Sequence, residues 1–506
     1  MNLLSSMPIN EKADARIEHL DVLIVGAGLS GIGGAWHVQS HCPGKSYAIL
    51  EGRKASGGTW DLFRYPGIRS DSDMYTLGYS FQPWREAKAI ADGPSILEYI
   101  RETAEEHGID KKIRYDHRVC RASWSSPDAT WTVEAETGAG KDIVRLSCSF
   151  LYLCTGYYDY ESGYTPEWNG FEKYKGVVIH PQKWPQDLDY AGRRVVVIGS
   201  GATAVTIVPS MSTTAAHVTM LQRSPSYVAS LPSRDKIADW LRGHLPGRLA
   251  YQITRWKNVM VAMTLYNVAR WKPDVFKALL RKTARRKLGP DYDFSHFTPT
   301  YEPWDQRLCL IPDGDLFKAI RSGKASMVTD QIEEFTPNGI RLQSGRHLDA
   351  DIVVTATGLN MKLMNGLTLY VDSRQVDLWE TMTYKGMMYS DIPNLASALG
   401  YTNASWTLKC DLTAAFVCRL INHMDKRGYT HCTPRRTDSS LTEEPALSFT
   451  SGYVQRALPF LPRQGSRKPW KLNQNYARDM MSLKYSKVED GTLEFTKSVA
   501  GAAPRV

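Results

Sequence analysis

Two glycine-rich turns in this chain have the spacing that places backbone amides around phosphate groups. The first runs from Gly26 through Gly28 to Gly31, directly after the strand-like run Asp21–Val25. In such a turn the first glycine permits a tight bend, the second lets the backbone approach a pyrophosphate, and the third lets helix and strand pack closely. Glu51 follows twenty residues after Gly31, and an acid at this distance accepts a hydrogen bond from a ribose 2′-hydroxyl. The sequence predicts a site here for a dinucleotide without a 2′-phosphate.

The second turn has the same spacing but a different closing residue. It follows the apolar run Arg194–Ile198 and consists of Gly199, Gly201, Thr203 and Ala204 with the residues between them. Where an acid would close the second strand, the chain has Gln222-Arg223-Ser224. A guanidinium binds phosphate oxygens in a bidentate manner, so this change favours a 2′-phosphate and predicts an NADPH site. Thr203 and Gln222 are further candidate contacts, and a surface arginine after a strand is the alternative for Arg223.

Two such sites in one chain indicate hydride transfer from NADPH to a bound flavin, with FAD in the first site. The electrons must then pass to an acceptor. Disulfide reductases use a redox-active cysteine pair, but the eight cysteines are scattered and include no closely spaced pair. Their spacing also fits no zinc site, and we expect no metal. Oxygen is therefore the favoured acceptor.

Two longer patterns connect these sites to a known family. One is Gly57-Gly58-x-Trp60 followed by Tyr65-Pro66-Gly67 and Asp71, and the other is Tyr174-x-Gly176-x-x-x-His180-x-x-x-Trp184-Pro185. Together they resemble the class B flavoprotein monooxygenases, and specifically the Baeyer–Villiger monooxygenases, whose linker fingerprint is F-x-G-x-x-x-H-x-x-x-W-P. Over almost its full length the chain is most similar to the actinobacterial ethionamide-activating type. The one departure is Tyr174, which replaces phenylalanine conservatively.

The resemblance implies an FAD- and NADPH-dependent enzyme that converts ketones into esters or lactones with O2 through a C4a-peroxyflavin. Oxygenation of sulfides or thioamides by the same flavin is the alternative. Gly58 and Trp60 are implied cofactor contacts, and Asp71 is implied to lie beside the flavin and to pair with Arg307. A fixed guanidinium would stabilise the anionic peroxide and the adduct that it forms. A structural ion pair is the other interpretation of Arg307.

The linker residues are expected to position the cofactor domains. A lone histidine such as His180 could be a general base, but the implied reaction needs no base at the carbonyl. We therefore expect His180 to have a positioning role and Trp184 to be a packing anchor. The stretch Gly465–Trp470 loosely resembles the mobile loop that closes over the cofactor in the family.

The elements that must position these residues form an α/β fold with two Rossmann-like dinucleotide-binding domains and a helical insertion. The β-α-β pattern begins at Asp21 and restarts at Arg194, and both Cys154-Thr155-Gly156 and Ala356-Thr357-Gly358 end a strand in the same way. We assign residues 1–160 and 376–506 to the FAD domain, 161–230 and 301–375 to the NADPH domain, and 231–300 to the insertion.

The charge of the chain is concentrated in that insertion. The formal net charge is +9, and residues 236–288 carry 13 Lys and Arg against two acids. A basic, Trp-containing helical segment is typical of a membrane interface or a polyanion-binding surface. The composition favours a solvated insertion whose tryptophans pack inward, with peripheral membrane contact through 236–288 as the alternative.

The remaining expectations concern location and partners. The N-terminal stretch has no signal-peptide pattern, and the longest apolar run, 259–269, is about half of the roughly 20 residues that a membrane span needs. The sequence predicts a cytoplasmic enzyme that can also contact a membrane surface. Its expected partners are molecular oxygen and a small ketone or sulfide, and not nucleic acid. A nucleotide-fold protein at a membrane surface that does not oxygenate anything is the alternative from another class.

Overall fold

Two sheets, one mixed and one parallel, dominate the computed structural model, which describes residues 17–497. Twelve α-helices lie in these residues: α1 (Leu29–His41), α2 (Thr59–Leu62), α3 (Met74–Leu77), α4 (Gly93–Glu106), α5 (Ala202–Met211), α6 (Lys236–His244), α7 (Gly247–Trp271), α8 (Pro273–Leu288), α9 (Asp315–Arg321), α10 (Trp406–Arg427), α11 (Gly452–Ala457) and α12 (Tyr476–Met480).

The strands of the described residues are mostly short. They are β1 (Glu18–Val25), β2 (Tyr47–Leu50), β3 (Ile113–Arg114), β4 (His117–Ser125), β5 (Thr130–Thr137), β6 (Asp142–Leu153), β7 (Tyr158–Gly163), β8 (Val177–Ile179), β9 (Arg194–Ile198), β10 (His217–Gln222), β11 (Val228–Leu231), β12 (Cys309–Pro312), β13 (Ala325–Thr329), β14 (Ile332–Thr336), β15 (Gly339–Leu342), β16 (His347–Asp349), β17 (Ile352–Thr355), β18 (Leu359–Met361), β19 (Thr368–Val371), β20 (Arg374–Val376), β21 (Thr383–Tyr384), β22 (Met388–Tyr389), β23 (Leu395–Ser397), β24 (Tyr429–Pro434), β25 (Glu443–Pro445), β26 (Arg463–Gly465) and β27 (Leu493–Lys497).

The first unit is built on a nine-stranded sheet in the order β20-β19-β4-β5-β6-β1-β2-β3, with β23 beside β6. Its central strand β1 pairs in parallel with both β2 and β6. The run Val22–Val25 is buried, as a strand covered on both faces must be, and it is accordingly apolar throughout. The first glycine turn therefore follows the central strand of this sheet.

The second unit is a parallel five-stranded sheet in the order β13-β10-β9-β17-β8. The second glycine turn leads from β9 into α5, and β9 again lies inside the sheet. The two units and the helices between them confirm the predicted α/β class with two Rossmann-like sheets and a helical insertion.

The chain passes between the units twice, at one place. The outgoing strand β7 pairs antiparallel with the returning strand β18, with Gly163 opposite Leu359 and Tyr158 opposite Met361. After β18 the chain enters β19, which pairs with β4 of the first sheet. The return to the first unit thus occurs before residue 368 and not at the predicted residue 376. A pairing between strands about 250 residues apart has no local sequence signal, so the sequence alone does not locate this return.

The helical insertion has the predicted interruptions, since α6 ends at His244, α7 begins at Gly247 and α8 begins at Pro273. The expectation that its tryptophans pack inward is wrong. Trp240, Trp256 and Trp271 are 60%, 45% and 77% exposed. Within residues 17–497, none of the helices combines the length and the apolarity needed to cross a bilayer.

The inward face of α7 is held partly by a buried arginine. The guanidinium of Arg255 donates hydrogen bonds to the carbonyl oxygens of Tyr75 (2.8 Å) and Gly78 (2.7 Å). The spacing of residues along a helix decides which of them share its buried face. The aromatic content of the segment therefore does not locate that face.

Candidate active site

The first glycine turn lies against the end of β6. Gly26 has a φ of +104°, and a Cβ there would lie 2.5 Å from the carbonyl oxygen of Cys154. A Cβ on Gly31 would lie 1.8 Å from the carbonyl oxygen of Gly26. Both positions therefore require glycine, as the spacing predicted. The second turn repeats the arrangement, because a Cβ on Gly199 would lie 2.3 Å from the carbonyl oxygen of Ala356.

Glu51 closes the first site at the end of β2. Its buried carboxylate accepts hydrogen bonds from the backbone N–H groups of Ala27 (2.8 Å) and Arg53 (3.0 Å). Burial raises the pKa of Glu51, although these two amides oppose that shift. The carboxylate is thereby fixed over the glycine turn with acceptor positions left for a ligand.

A cleft of about 520 Å³ extends from this turn. Gly28 and Gly58 both line it and their backbones lie close together, since a Cβ on Gly58 would lie 3.1 Å from the Cα of Gly28. Trp60 also lines the cleft. Because neither glycine has a side chain, the cleft beside them has room for an extended ligand such as a dinucleotide.

The cleft contains buried donors that have no protein partner. The Nε and Nη2 atoms of Arg69 are buried and lack a hydrogen-bond partner among residues 17–497, while Nη1 contacts Asp315. Arg69 lines the cleft, and a buried donor without a partner indicates a site for a polar ligand. The residues present therefore fit FAD, which Gly26, Gly28 and Glu51 would hold at its dinucleotide part.

Asp71 and Arg307 come together in this cleft, although 236 positions separate them in the chain. The depth of Asp71 in the protein raises the pKa of its carboxyl, and Arg307 and Arg69 counteract that shift. The resemblance implied a direct pair, but in the described residues no ion pair within 4.0 Å joins Asp71 and Arg307. The two charges instead act on each other across the cleft.

Arg307 lies where the cleft meets a second cavity, of about 550 Å³. Tyr157 and Trp406 line both spaces with it, and their rings stack at 5.0 Å between centroids. Arg307 has a large solvent-accessible surface, and this surface faces the cleft and the cavity. Its depth lowers the pKa of the guanidinium, but Tyr157, Asp71 and Tyr158 outweigh this, so the pKa is raised and the charge is permanent.

The segment of Arg307 is anchored at Asp305. The Asp305 carboxylate pairs with Arg270 of α7 at 2.7 Å, and its carbonyl oxygen accepts from the backbone N–H of Thr450 at 3.0 Å. Gln306 lies between Asp305 and Arg307. Both contacts fix the backbone at Asp305, two residues before Arg307.

The surface of the 550 Å³ cavity is mostly apolar, and two ion pairs lie in its wall. Lys409 pairs with Asp479 at 2.8 Å, and Lys385 lies 3.0 Å from Asp490. Lys468 and Pro469, from the stretch compared with a mobile loop, also line this cavity, while Trp470 is buried. That stretch therefore forms part of the cavity wall.

The second glycine turn supplies fewer residues to these spaces. Thr203 of this turn lines the 520 Å³ cleft, whereas Ala204 is buried. Around Gly201 there is open space, since a Cβ there would meet nothing within 4 Å. This leaves the N-terminal end of α5 accessible to a phosphate group.

The residues that follow β10 differ in their surroundings. Arg223 and Ser224 are exposed, and Arg223 has no ionic partner in residues 17–497. Gln222 is buried, and its Nε2 donates to the His296 carbonyl oxygen (2.8 Å) and to Thr329 Oγ1 (2.9 Å). Its side chain therefore points into the protein, which differs from the predicted NADPH contact of Gln222.

Tyr174 and Gly176 of the linker fingerprint contact each other. The Tyr174 hydroxyl donates to the carbonyl oxygen of Ala350 at 3.0 Å, so the oxygen that replaces a phenylalanine hydrogen has a partner. A Cβ on Gly176 would lie 2.3 Å from that hydroxyl oxygen. The fingerprint continues into β8, the edge strand of the second sheet.

His180 lies where the two chain crossings meet. Its Nε2 donates to the carbonyl oxygen of Gly358 (3.2 Å), its Nδ1 accepts from the N–H of Gln182 (3.2 Å), and its ring fills the space beside Gly163. Burial lowers the pKa of His180, so the ring is neutral. Trp184 packs against the core of the second unit. His180 lines neither of the two spaces beside Arg307, and its positioning role stays a prediction.

Arg69, Tyr157 and Trp406 are the site residues that the sequence did not single out. Arg69 lies two residues before Asp71 inside a recognised pattern, and that proximity was an available signal. Trp406 comes from the start of α10, and nothing in the local sequence connects it with Arg307. In the part of the chain that the structure describes, no cluster of His, Cys, Asp or Glu could hold a metal ion.

Comparison with known proteins gives a family and a fold. The family described as flavin-binding monooxygenase-like matches residues 86–393. The chain is 55% identical to the FAD-containing monooxygenase EthA of Mycobacterium tuberculosis over 485 residues, which cover 96% of this chain and 99% of the relative. It is 49% identical to the probable FAD-binding monooxygenase AlmA of Acinetobacter baylyi, with 95% and 97% of the two chains covered.

Solved structures share the architecture at lower identity. An oxidized steroid monooxygenase bound to NADP superposes with a TM-score of 0.73 at 21% identity, and 95% of this chain and 100% of that chain are covered. An open crystal structure of cyclohexanone monooxygenase gives a TM-score of 0.72 at 18% identity with the same coverage. At this identity the likeness concerns the fold.

Proposed function

The chain belongs to the flavin-binding monooxygenase-like family, and from this premise we propose that it is an FAD- and NADPH-dependent Baeyer–Villiger monooxygenase. It inserts one oxygen atom of O2 beside a ketone carbonyl and forms an ester or lactone. FAD, once reduced by NADPH, supplies the activation of oxygen. The observation that carries the proposal is the position of Arg307, which lines both the dinucleotide cleft and the adjoining apolar cavity.

Each group of residues has one task in this reaction. Glu51 and the first glycine turn hold FAD, while Arg223 and Ser224 contact the 2′-phosphate of NADPH. Arg307 stabilises negative charge on the transferred oxygen and on the carbonyl oxygen of the substrate, where a permanent cation in a water-poor site is most effective. Asp71 balances that cation from across the cleft. The apolar wall of the cavity receives the ketone and keeps water from the reacting atoms.

Oxygenation of sulfides or thioamides is the second candidate function. A soft sulfur atom is itself the nucleophile, so this reaction develops no anionic carbonyl adduct and depends less on Arg307. The same cavity of about 550 Å³ has room for such substrates. The two reactions differ in their demand for the guanidinium, and this difference separates them experimentally.

The purified full-length protein provides the test. We expect a yellow protein that consumes NADPH and O2 in equal amounts when a ketone is present and transfers label from ¹⁸O2 to the ester. A mass-spectrometric panel of ketones and sulfides then ranks the two reactions. A colourless protein, or one that forms only hydrogen peroxide with every panel member, would refute the proposal.

A cytoplasmic location with peripheral membrane contact through residues 236–288 also belongs to the proposal. Its support is the basic excess of that segment together with the exposed Trp240 and Trp271. Fractionation of cells that produce the full chain would place it with the cytosol at high salt and partly with membranes at low salt. Recovery outside the cytoplasmic fractions under both conditions would contradict it.

A further inference from the structure

Exposed apolar side chains are concentrated on the helical insertion. Eleven of the 22 exposed large hydrophobic side chains among residues 17–497 lie between positions 237 and 279. They are Ile237, Trp240, Leu249, Ile253, Trp256, Met260, Val261, Leu265, Trp271, Val275 and Leu279. Clustering of this kind marks an interaction surface, whereas single exposed apolar residues do not.

Helix α7 presents part of this set as one continuous face. Leu249, Ile253, Trp256, Met260 and Trp271 fall within about 60° of arc on a helix of 3.6 residues per turn. The opposite side is held in the protein by Tyr251, Arg255 and Val259, which are buried. On the outward face 41% to 77% of each side chain is exposed, and the Trp256 ring lies beside that of Tyr476.

Positive charge accompanies this face. Arg248 precedes Leu249, and Lys272 follows Trp271 with its Nζ 4.9 Å from the indole ring. Both cations are exposed, and neither has a carboxylate partner within 4.0 Å in residues 17–497. We call these seven residues, Arg248, Leu249, Ile253, Trp256, Met260, Trp271 and Lys272, the docking face.

Such a face complements an anionic lipid bilayer. Tryptophan rings favour the headgroup region, aliphatic side chains reach the acyl boundary, and flanking Lys and Arg attract anionic headgroups. A nucleic acid would match the charge but would leave the apolar residues in water. Charge and apolarity together therefore select the lipid surface.

The docking face adjoins the mouth of the 550 Å³ cavity. Trp256 lies 5.7 Å from Tyr476 between ring centroids, and Tyr476 begins α12. Two and five residues later, the exposed Arg478 and Met481 line the cavity. Met481 is 60% exposed, so an apolar side chain stands at the entrance next to the bilayer-facing helix.

We propose that the docking face binds an anionic bilayer and that apolar ketones dissolved in the lipid enter the cavity past Met481. The binding half specifies the membrane contact proposed for residues 236–288, and the delivery half rests on the proposed oxygenation of ketones. A docked enzyme would then receive its substrate from the membrane rather than from water.

Vesicle flotation of the full-length holoprotein tests the binding half. We expect the protein to float with phosphatidylcholine vesicles that contain phosphatidylserine and not with phosphatidylcholine alone, and to be released by high salt. The triple variant Ile253→Gln/Met260→Gln/Trp271→Ser should lower the partition coefficient at least about tenfold, since three apolar contacts are lost. The matched control is Ile143→Gln/Trp379→Ser, which alters exposed apolar residues elsewhere and should float normally.

Three outcomes would overturn the binding half. One is no flotation of wild type with anionic vesicles, and another is unchanged flotation of the triple variant. The third is a wild type that does not bind vesicles but self-associates in light scattering, together with a triple variant that does not self-associate. That result would assign the docking face to contact with a second copy of the chain. Unfolded variants are recognised by lost flavin absorbance and a lowered melting temperature.

The delivery half has its own measurement. The triple variant should lose at least about tenfold in kcat/KM for a long-chain ketone presented in anionic vesicles, but keep wild-type kcat/KM for a small water-soluble ketone. Equal rates for wild type and variant on the vesicle substrate would refute delivery. If neither substrate reacts with either protein, the proposed function fails while the flotation result stands.

Discussion

At the scale of single residues, Arg307 has the clearest consequence. Arg307→Ala removes the permanent cation at the junction of cleft and cavity, and we expect ester formation to fall by at least about 10²–10³-fold, the effect of losing one preorganised donor. Reduction of the flavin by NADPH should stay within a few-fold of wild type. Stopped-flow absorbance and product analysis measure the two steps separately.

The control for Arg307 is Arg374→Ala, which removes an exposed arginine from strand β20. It should leave both steps unchanged. An undiminished ester yield in Arg307→Ala would remove Arg307 from the reaction, and a matching loss of flavin reduction would assign it to cofactor binding. A sulfide substrate should lose less than a ketone.

Arg223 allows a second prediction, because its guanidinium is exposed and without an ionic partner in residues 17–497. Arg223→Ala should raise the KM for NADPH by roughly 10- to 100-fold, the equivalent of a charge-assisted hydrogen bond. The KM for NADH, which has no 2′-phosphate, should change little. Steady-state kinetics with both nucleotides decides this, and equal losses with the two would argue against a phosphate contact.

The two glycine turns were predictable at this scale, and the position of Arg307 between cleft and cavity was not. The requirement for glycine at Gly26 and Gly199 and the acid at Glu51 follow from local spacing, which a single β-α-β unit determines. Gln222 lies in the same local pattern, but His296 and Thr329 bind its amide from more than 70 residues away. Such tertiary contacts have no local signature.

At the scale of elements, the ring of His180 and the backbone of β7 share one space. A Cβ on Gly163 would lie 1.9 Å from Cε1 of His180, so Gly163→Ala should destabilise the protein by about 1–3 kcal/mol through overpacking. Urea unfolding followed by fluorescence measures the change. The double variant Gly163→Ala/His180→Ala should be less destabilised than the sum of its single variants.

Gly243→Ala is the matched control for Gly163→Ala. A Cβ at Gly243 would meet nothing within 4 Å, and alanine in α6 should stabilise by about 0.5–1 kcal/mol. If Gly163→Ala were as harmless as this control, the contact between His180 and β7 would not constrain the crossing.

The lowered pKa of His180 predicts a pH dependence. Because the folded protein holds the ring neutral, the unfolded chain binds its proton at higher pH, and stability falls as the pH drops below the ordinary His pKa of about 6.5. His296 and His431 have lowered pKa values as well. Wild type should therefore lose more unfolding free energy than His180→Asn between about pH 7.5 and about pH 5.5, and identical losses would contradict this.

Helices and their ends were predictable where a local sequence pattern determines them. The three insertion helices end and begin at Leu245-Pro246-Gly247 and Pro273 because proline and glycine stop helices for local reasons. The outward direction of Trp240, Trp256 and Trp271 depends on which face of each helix the rest of the protein covers. No composition rule contains that information.

At the scale of the whole molecule, the cofactor cleft is lined from both units, with Glu51 in one and Thr203 in the other. A ligand bound there stabilises the folded arrangement by mass action, by about 2.7 kcal/mol at a hundredfold excess over its Kd. Removal of FAD should lower the melting temperature, and added FAD should restore it. Treatment with EDTA should change neither melting nor activity, and a loss of activity that added metal restores would contradict this.

The side-by-side pairing of β7 and β18 also has a consequence for folding. The second unit is inserted into the chain of the first unit. Since Gly163 lies opposite Leu359, the two ends of the inserted segment are about one strand spacing, 4.8 Å, apart. Closing that segment as a random loop of about 195 residues would cost roughly 5 kcal/mol of chain entropy. If the inserted unit has already folded, its own structure holds its two ends close together. The topology thus favours an order in which the inserted half matures first and the outer half then closes around it.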